Sequence, residues 1–335
     1  MAAFAFLIAV PSLVSGETLG EAFRRVNPSV VVIRSRGREV TADGIARFKE
    51  IGSGVLISAD GKVATAAHVV HTMEDITVEF LGEAPVAARV IASEPRADIS
   101  LIQVSSVPPD ARVAKLVDSD PIRVGDAIFI VGAPYGLAHS LSAGIISARW
   151  EPDTVTRDFP LAEFFQTDAV INTGNSGGPM FSRAGDLIGI VSHNITKSGG
   201  SEGLGFVVTA NTVQKLLVEQ HRRWYGVDLV LITGAMAQAL SVPQVGGFLV
   251  KQVVKNSPAG QLGLRGGDRI GIVEGQKLVV GGDVLLSVQG TTVASNEDMV
   301  KALKSLETLQ PGQKLRVTVL RDKKVQELSM NWTGR

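Results

Sequence analysis

The stretch Gly174-Asn175-Ser176-Gly177-Gly178-Pro179 sets one hydroxyl among glycines. Attack on an amide carbonyl needs an activated hydroxyl and backbone N–H groups that stabilise the oxyanion. Glycine lets the backbone turn tightly enough for such N–H groups to converge. Gly, Asn and Ser are also ordinary turn residues, so the hexapeptide alone fits a surface turn as well. Two upstream segments decide between these readings. His68 lies in Thr65-Ala66-Ala67-His68-Val69-Val70, and Asp98 lies in Ala97-Asp98-Ile99-Ser100-Leu101. An imidazole can take the hydroxyl's proton. A buried carboxylate can hold the imidazole's tautomer and stabilise the imidazolium. Asp98 precedes the apolar run Ile99 to Val104, and a strand starting there can bury its carboxylate. Asp75, Asp110, Asp118 and Asp168 lack that setting. His68 and His71 also form a His-x-x-His pair, but no third ligand cluster with metal spacing accompanies it and cysteine is absent. His71 is expected on an exposed turn after His68, and no metal or organic cofactor is expected.

The order histidine, aspartate, serine resembles that of chymotrypsin-like proteases. Further segments extend the likeness: Gly52-Ser53-Gly54-Val55-Leu56-Ile57, Gly132-Ala133-Pro134-Tyr135-Gly136 and Gln166-Thr167-Asp168-Ala169. Together they resemble the HtrA (Deg) family, trypsin-like serine proteases with a following PDZ domain. The resemblance spans nearly the whole chain after its leader. It implies an all-β, chymotrypsin-like double β-barrel followed by an α+β PDZ domain. It assigns catalysis to His68, Asp98 and Ser176, and the oxyanion hole to the N–H groups of Gly174 and Ser176. Two positions depart from the family pattern: Thr173 stands where Pro or Arg is common, and Ser100 where Ala is common.

The same resemblance makes Gly189-Ile190-Val191-Ser192 the strand that pairs with extended substrate. Val191, Ser192 and His193 then line the cleft, with Ser192 near Asp98. The base of the primary specificity pocket falls at Val170, six positions before Ser176. No acid stands there for a substrate Lys or Arg, so a small or medium aliphatic residue is expected. Asp168, two residues away, shares the Val170 face if that segment alternates as a strand. Residues 149–165 occupy the place of an activation loop. Their aromatics, Trp150, Phe159, Phe164 and Phe165, suit either packing on a neighbour or anchoring in the core.

The chain has 335 residues, which suggests about two domains. Its 33 Lys and Arg balance 33 Asp and Glu, so neither nucleic acid nor an anionic membrane is an expected partner. No cysteine is present, which excludes disulfides. Residues 1–16 read as a secretory signal ending near Val14-Ser15-Gly16, although no basic residue precedes the apolar run. Export to the periplasm or beyond is therefore expected. Residues 17–221 are assigned to the protease domain. Within it, Glu17 to Val26 reads as a helix, Val30 to Ile33 as a strand, and Arg34 to Lys49 as a polar loop. Short strands with frequent turns, such as Asp60-Gly61, continue to about Val208. Asn211 to Trp224 reads as an amphipathic helix with Val213, Leu216, Leu217 and His221 on one face.

Residues 222–335 are assigned to the PDZ domain. Tyr225-Gly226-Val227 resembles that domain's carboxylate-binding loop, whose N–H groups capture a peptide C-terminus. Trp224 replaces the family's Tyr. Gly266-Gly267-Asp268 is repeated at Gly281-Gly282-Asp283, and residues 270–281 between them read as an inserted hairpin around Glu274-Gly275. Asn296 to Leu306 reads as the PDZ helix and Lys314 to Leu320 as the closing strand. The leading functional reading is an ATP-independent endopeptidase of protein quality control, acting on unfolded or damaged proteins. The competing reading is a PDZ-bearing binding protein that turns over little. Peptide C-termini are the expected PDZ ligands, and a trimer-based homo-oligomer the expected assembly.

Overall fold

Thr18 caps the first helix, α1 (Leu19–Val26), through a reciprocal capping box with Glu21. Asn27-Pro28 then ends the helix in a 3₁₀ turn. The computed structural model describes residues 17–156, 158–220 and 222–333. The expected leader at 1–16 and His221 lie outside the described residues.

Strands β1 (Val30–Thr41), β2 (Gly44–Leu56), β3 (Lys62–Thr65), β4 (Asp75–Glu79), β5 (Val86–Glu94) and β6 (Ile99–Val104) close into an antiparallel barrel in the order β1-β2-β3-β6-β5-β4. The short helix α2 (Ala67–Val70) follows β3. Strands β7 (Ala127–Gly132), β8 (Ser140–Trp150), β9 (Phe164–Thr167), β10 (Pro179–Ser182), β11 (Leu187–Asn194) and β12 (Gly205–Thr209) close a second barrel in the order β7-β8-β9-β12-β11-β10. The two circuits are the same. Val30 to Ile33 is apolar without alternation because both of its faces are buried. Val31 and Ile33 fill the first barrel with Leu56, Val78 and Ile102. Val30 instead meets Phe129, Val131 and Phe181 in a cluster between the barrels. Ile128 and Ile130 turn inward to Ile146 and Met180 of the second barrel. The expected double barrel is thus present.

Two local expectations are corrected. Residues 34–49 are not a loop: β1 continues to Thr41 and pairs with β2 down to Thr41↔Gly44. This half of the hairpin has no fully buried face beyond residue 38, so no apolar alternation marks it. Gly44, at φ +116°, allows the turn. The helix after β12 is α3 (Ala210–Val213), continued as a π-helical segment Gln214–Glu219. Val213, Leu216 and Leu217 are buried as expected, but the helix stops well before Trp224. The chain there runs along the first barrel, where Ser93 N donates to the Arg222 carbonyl at 2.9 Å.

The C-terminal domain contains β13 (Val227–Thr233), α4 (Gly234–Ala239), β14 (Gly246–Val253), α5 (Pro258–Leu262), β15 (Arg269–Val273), β16 (Gln276–Val280), β17 (Val284–Val288), β18 (Thr291–Thr292), α6 (Asn296–Glu307), β19 (Lys314–Arg321) and β20 (Lys324–Asn331). Its sheet runs β13-β14-β17-β19-β20, with β18 on β17. The strand expected to close the domain, β19, is followed by β20 as the sheet's edge. Phe248, Leu285, Val317 and Trp332 pack against Ala302 and Leu306 of α6. The expected hairpin forms: β15 and β16 make their own two-stranded sheet, turning at Glu274 (φ +50°) and Gly275 (φ +77°). It lies against β14 and β1.

Candidate active site

His68 sits in the single turn of α2, directly after the inward-facing strand β3. Asp98 ends a 3₁₀ turn at φ 52°, ψ 41°, just before β6. This left-handed conformation is uncommon for a side-chain-bearing residue, and Asp tolerates it better than most. It turns the carboxylate back onto α2. Asp98 Oδ1 accepts from the His68 backbone N–H at 3.1 Å and lies 2.9 Å from His68 Nδ1. Asp98 is 1 % exposed, whereas the His68 side chain is 43 % exposed, so one side of the ring stays open to the cleft. Burial pulls the His68 pKa down. The hydrogen bond and charge of Asp98, assisted by Glu50, outweigh burial and leave it raised above the ordinary histidine value. The Ser192 hydroxyl donates to Asp98 Oδ2. Ser192 thus lies beside Asp98, as the family resemblance implies.

Ser176 lies on the loop before β10, and its carbonyl accepts from Ser53 N–H at 2.8 Å. Its hydroxyl donates to the Ser192 carbonyl at 3.1 Å. Among the described residues no hydrogen bond joins His68 to the Ser176 hydroxyl. The loop is clamped from the first barrel. Ser53 Oγ donates to the Gly174 carbonyl at 2.7 Å and accepts from Ala133 N–H at 2.9 Å. Thr65 Oγ1 donates to the Ser53 carbonyl at 2.7 Å. Tyr135 N–H donates to the Thr173 carbonyl at 2.8 Å. In a trans peptide the carbonyl and the next N–H point in opposite directions. Anchoring the Thr173 carbonyl on Tyr135 therefore aims Gly174 N–H away from that contact. Gly174 has φ +100°, and a Cβ there would lie 2.2 Å from the Ala133 carbonyl oxygen. Spacing does not reveal the supporting roles of Ser53, which reaches the loop across the barrel interface, and Tyr135, which holds it from a neighbouring loop of the second barrel.

The specificity residues divide differently from expectation. Val191 is fully buried. Val170 is 52 % exposed and does not form an enclosed floor; Ile171, 2 % exposed, is the buried aliphatic neighbour. A Cβ on Gly205 would lie 2.5 Å from the Ile171 Cδ1. The Asp168 carboxylate accepts from Ile145 N–H at 2.8 Å, which occupies it on β8. Of the four aromatics of residues 149–165, Phe164 and Phe165 are in the core. Phe159 packs on His193 and Phe164, and Trp150 Nε1 donates to Gln166 at 3.1 Å. His193 also stacks on Phe206, with ring centroids 5.1 Å apart.

His71 is not an exposed turn residue. It lies between the two halves of the chain, with Nδ1 2.8 Å from Ser93 Oγ and Nε2 3.2 Å from the Val227 carbonyl. Trp224 Nε1 donates to the His71 carbonyl at 2.8 Å, and Gln252 donates to the Thr72 carbonyl at 3.1 Å. Burial lowers the His71 pKa, against smaller opposing effects of the Val227 carbonyl, Asp228 and Glu94. In the adjoining loop, Ala259 N–H donates to the Tyr225 carbonyl at 3.0 Å, and Val254 N–H to the Gly226 carbonyl at 2.9 Å. Gly226 has φ +69°, and a Cβ there would lie 2.1 Å from Ser257 Cβ. Burial raises the Tyr225 phenol pKa to about 12.

Two like barrels with an acid–imidazole pair and a serine loop between them define a trypsin-like serine protease fold, here joined to a PDZ domain. Residues 52–190 match the family described as trypsin-like peptidase domain, and residues 218–331 match the PDZ domain family. A probable periplasmic serine endoprotease, DegP-like, from Pseudomonas putida (strain GB-1) is 33 % identical over 300 residues, covering 88 % of this chain and 58 % of that protein. A DegP-like protein of the same description from Brucella suis biovar 1 (strain 1330) is 32 % identical over 289 residues, covering 83 % of this chain and 52 % of that protein. The chain thus spans a little over half the length of these relatives. The HtrA-type protease AlgW, solved with a decapeptide, matches with a TM-score of 0.54 and 25 % identity, covering 94 % of this chain and 98 % of that one. AlgW with a tripeptide matches with a TM-score of 0.54 and 27 % identity, covering 94 % and 96 %. The chain belongs to the HtrA (Deg) family.

Proposed function

We propose that this chain is an ATP-independent serine endopeptidase of protein quality control, cleaving unfolded or damaged proteins. The observation that carries the reading is the His68–Asp98 pair at 2.9 Å, with the clamped Ser176 loop across the cleft. Ser176 attacks, His68 carries the proton and Asp98 holds His68 in the Nδ1–H tautomer. Gly174 and Ser176 N–H groups, which have no acceptor among the described residues, receive the oxyanion. In the resting arrangement the Ser176 hydroxyl rests on the Ser192 carbonyl. Extended substrate pairing with β11 takes that carbonyl and frees the hydroxyl to turn to His68. Apo catalytic hydrogen bonds are often loose in this way. Ile171 beside Gly205, with Asp168 engaged elsewhere, supports cleavage after small aliphatic residues. Mass spectrometry of digestion products checks this, and cuts concentrated after Lys and Arg count against it.

Tyr225, Gly226 and Val227 present N–H groups to a peptide's C-terminal carboxylate, and the peptide adds as a strand beside β13. β13 is an edge of its sheet, which supports this reading. Export to the periplasm and a trimer-based assembly are further parts of the proposal. The parked hydroxyl of Ser176 favours one alternative, a PDZ-bearing binding protein that turns over little. A fluorophosphonate probe and an unfolded-casein assay separate the two. The parent is expected to be labelled and to degrade casein, and Ser176→Ala to lose about a million-fold in turnover while keeping its fold. Equal casein degradation by parent and Ser176→Ala would remove the assignment; an unlabelled parent that still holds casein soluble would favour the alternative.

A further inference from the structure

The cleft carries a second imidazole that the Ser–His–Asp chemistry leaves unused. His193 Nδ1 lies 3.0 Å from Ser192 Oγ. The Ser192 hydroxyl has one proton, and that proton goes to Asp98 Oδ2, because an ionised carboxylate only accepts. Ser192 Oγ must therefore accept from His193, which fixes His193 as the Nδ1–H tautomer. Two bonds run in series, His193 Nδ1–H to Ser192 Oγ and Ser192 O–H to Asp98 Oδ2, and a third converges on the same carboxylate from His68 Nδ1–H. Ser192 is fully buried, so no solvent competes for its hydroxyl.

Packing fixes the ring that supplies this donor. His193 stacks on Phe206 at 13° between planes and meets Phe164 edge-on at 88°, with Phe159 at 5.4 Å. Three aromatic walls on an imidazole hold its plane without using either nitrogen.

Resting on the catalytic reading proposed above, we propose that His193 is a positioning residue of the catalytic network. It points the Ser192 hydroxyl at Asp98 and so holds the carboxylate square to His68. Without the donor, the Ser192 hydroxyl becomes free to rotate, and Asp98 loses a directed partner at Oδ2, the oxygen that His68 Nδ1 also approaches at 3.0 Å. The Ser192 hydroxyl and His68 share one buried carboxylate, so a change in how the hydroxyl is aimed alters the orientation of Asp98 and reaches His68 although His193 does not touch it.

Two substitutions separate the donor from the packing. His193→Phe keeps an aromatic ring on Phe206 and removes Nδ1–H. His193→Asn keeps an N–H donor near the Nδ1 position and removes the ring. The readout is kcat and KM on a fluorogenic peptide, with the rate of fluorophosphonate labelling of Ser176. His193→Phe is expected to lower kcat about three- to tenfold, the worth of one hydrogen bond, with KM within about twofold. His193→Asn is expected to recover a large part of that loss. An unchanged kcat in His193→Phe overturns the proposal. So does a loss confined to KM, which would make His193 a substrate contact, or an Asn variant as impaired as Phe. A parent that labels normally while His193→Phe labels equally fast defeats this inference alone; a parent that does not label defeats the catalytic reading beneath it as well. A readout free of activity uses ¹⁵N-histidine NMR on Ser176→Ala. His193 should show the Nδ1–H tautomer, and Ser192→Ala should shift its Nδ1 resonance. An Nε2–H tautomer overturns the proposal.

Discussion

Two glycine-centred loops in this chain, proposed above to receive an oxyanion and a peptide carboxylate, are anchored in opposite ways. The Gly174–Ser176 loop belongs to the second barrel but is held by the first, through Ser53 on the Gly174 carbonyl and Ser53 N–H on the Ser176 carbonyl. The Tyr225–Val227 loop is held at two carbonyls by its own domain, through Ala259 and Val254. Its third carbonyl, on Val227, is taken by His71 of the protease. Because the Gly226 carbonyl faces β14, the N–H and C=O of Val227 face the opposite edge. That is the edge proposed above to receive a peptide strand. The oxyanion loop is thus braced by its neighbour without being blocked. The carboxylate loop is met by its neighbour at an atom that an incoming strand needs.

The sharpest way to break this comparison is at the first glycine. Gly174→Ala places a Cβ 2.2 Å from a carbonyl oxygen at φ +100°, so the loop must shift. Loss of one oxyanion donor is expected to lower kcat about a hundred- to a thousand-fold with far smaller change in KM. Steady-state kinetics beside a thermal melt checks this; a kcat within tenfold of the parent refutes the oxyanion role. Gly226→Ala carries a clash of the same size, but only peptide capture should suffer. Calorimetry with a free-acid peptide should show affinity lowered at least tenfold while basal cleavage stays within about twofold. Equal binding by free-acid and amidated peptides in the parent would remove carboxylate capture altogether.

A smaller effect sharpens the contrast. His71→Phe frees the Val227 carbonyl, so peptide affinity should rise about three- to tenfold, the worth of one hydrogen bond. Unchanged affinity would mean that peptide and His71 do not compete.

The smallest effects come with pH and have opposite origins at the two histidines. His68 is raised, so its neutral, base-competent form is lost as pH falls through a value above the ordinary histidine value of about 6.5. His71 is lowered by burial, so the folded state binds the proton less well than the unfolded chain. Its contribution to stability is whole above about pH 6.5 and declines as pH falls toward the depressed value. A chemical-denaturation series from pH 7.5 to 5 should lose this dependence in His71→Phe; an identical slope in both proteins rejects it.

The barrels and the residues proposed as catalytic are legible because their signals are local. Asp98 before an apolar run, Ser176 among glycines and the Glu274-Gly275 turn state their geometry in adjacent residues. The outer hairpin over residues 34–49 was not legible, because a strand pair standing off the core has no apolar layer to pattern it, although Asp43-Gly44 marked its turn. His71 was misplaced because its partners, Ser93 and Val227, lie far away in sequence. Val170 was chosen by counting back from Ser176. Counting does not reveal burial: Val170 is 52 % exposed, while the adjacent Ile171 is buried in the core of the second barrel.

Both barrels close on themselves, and closure has a consequence under the proposal that this molecule meets unfolded polypeptides. Exposed sheet rims recruit such chains into aggregates. Here twelve strands close two rings, and the outer hairpin, residues 37–41 and 44–51, carries strand edges that pair with no further strand. The open rims of the sheet formed by the last third of the chain are β13, where a peptide can be received, and β20, which carries Lys324 and Glu327. For the unfolded clients proposed above, growth on this protein is confined to such open edges, among them β13, β20, the β15–β16 ribbon and the outer hairpin of the first barrel.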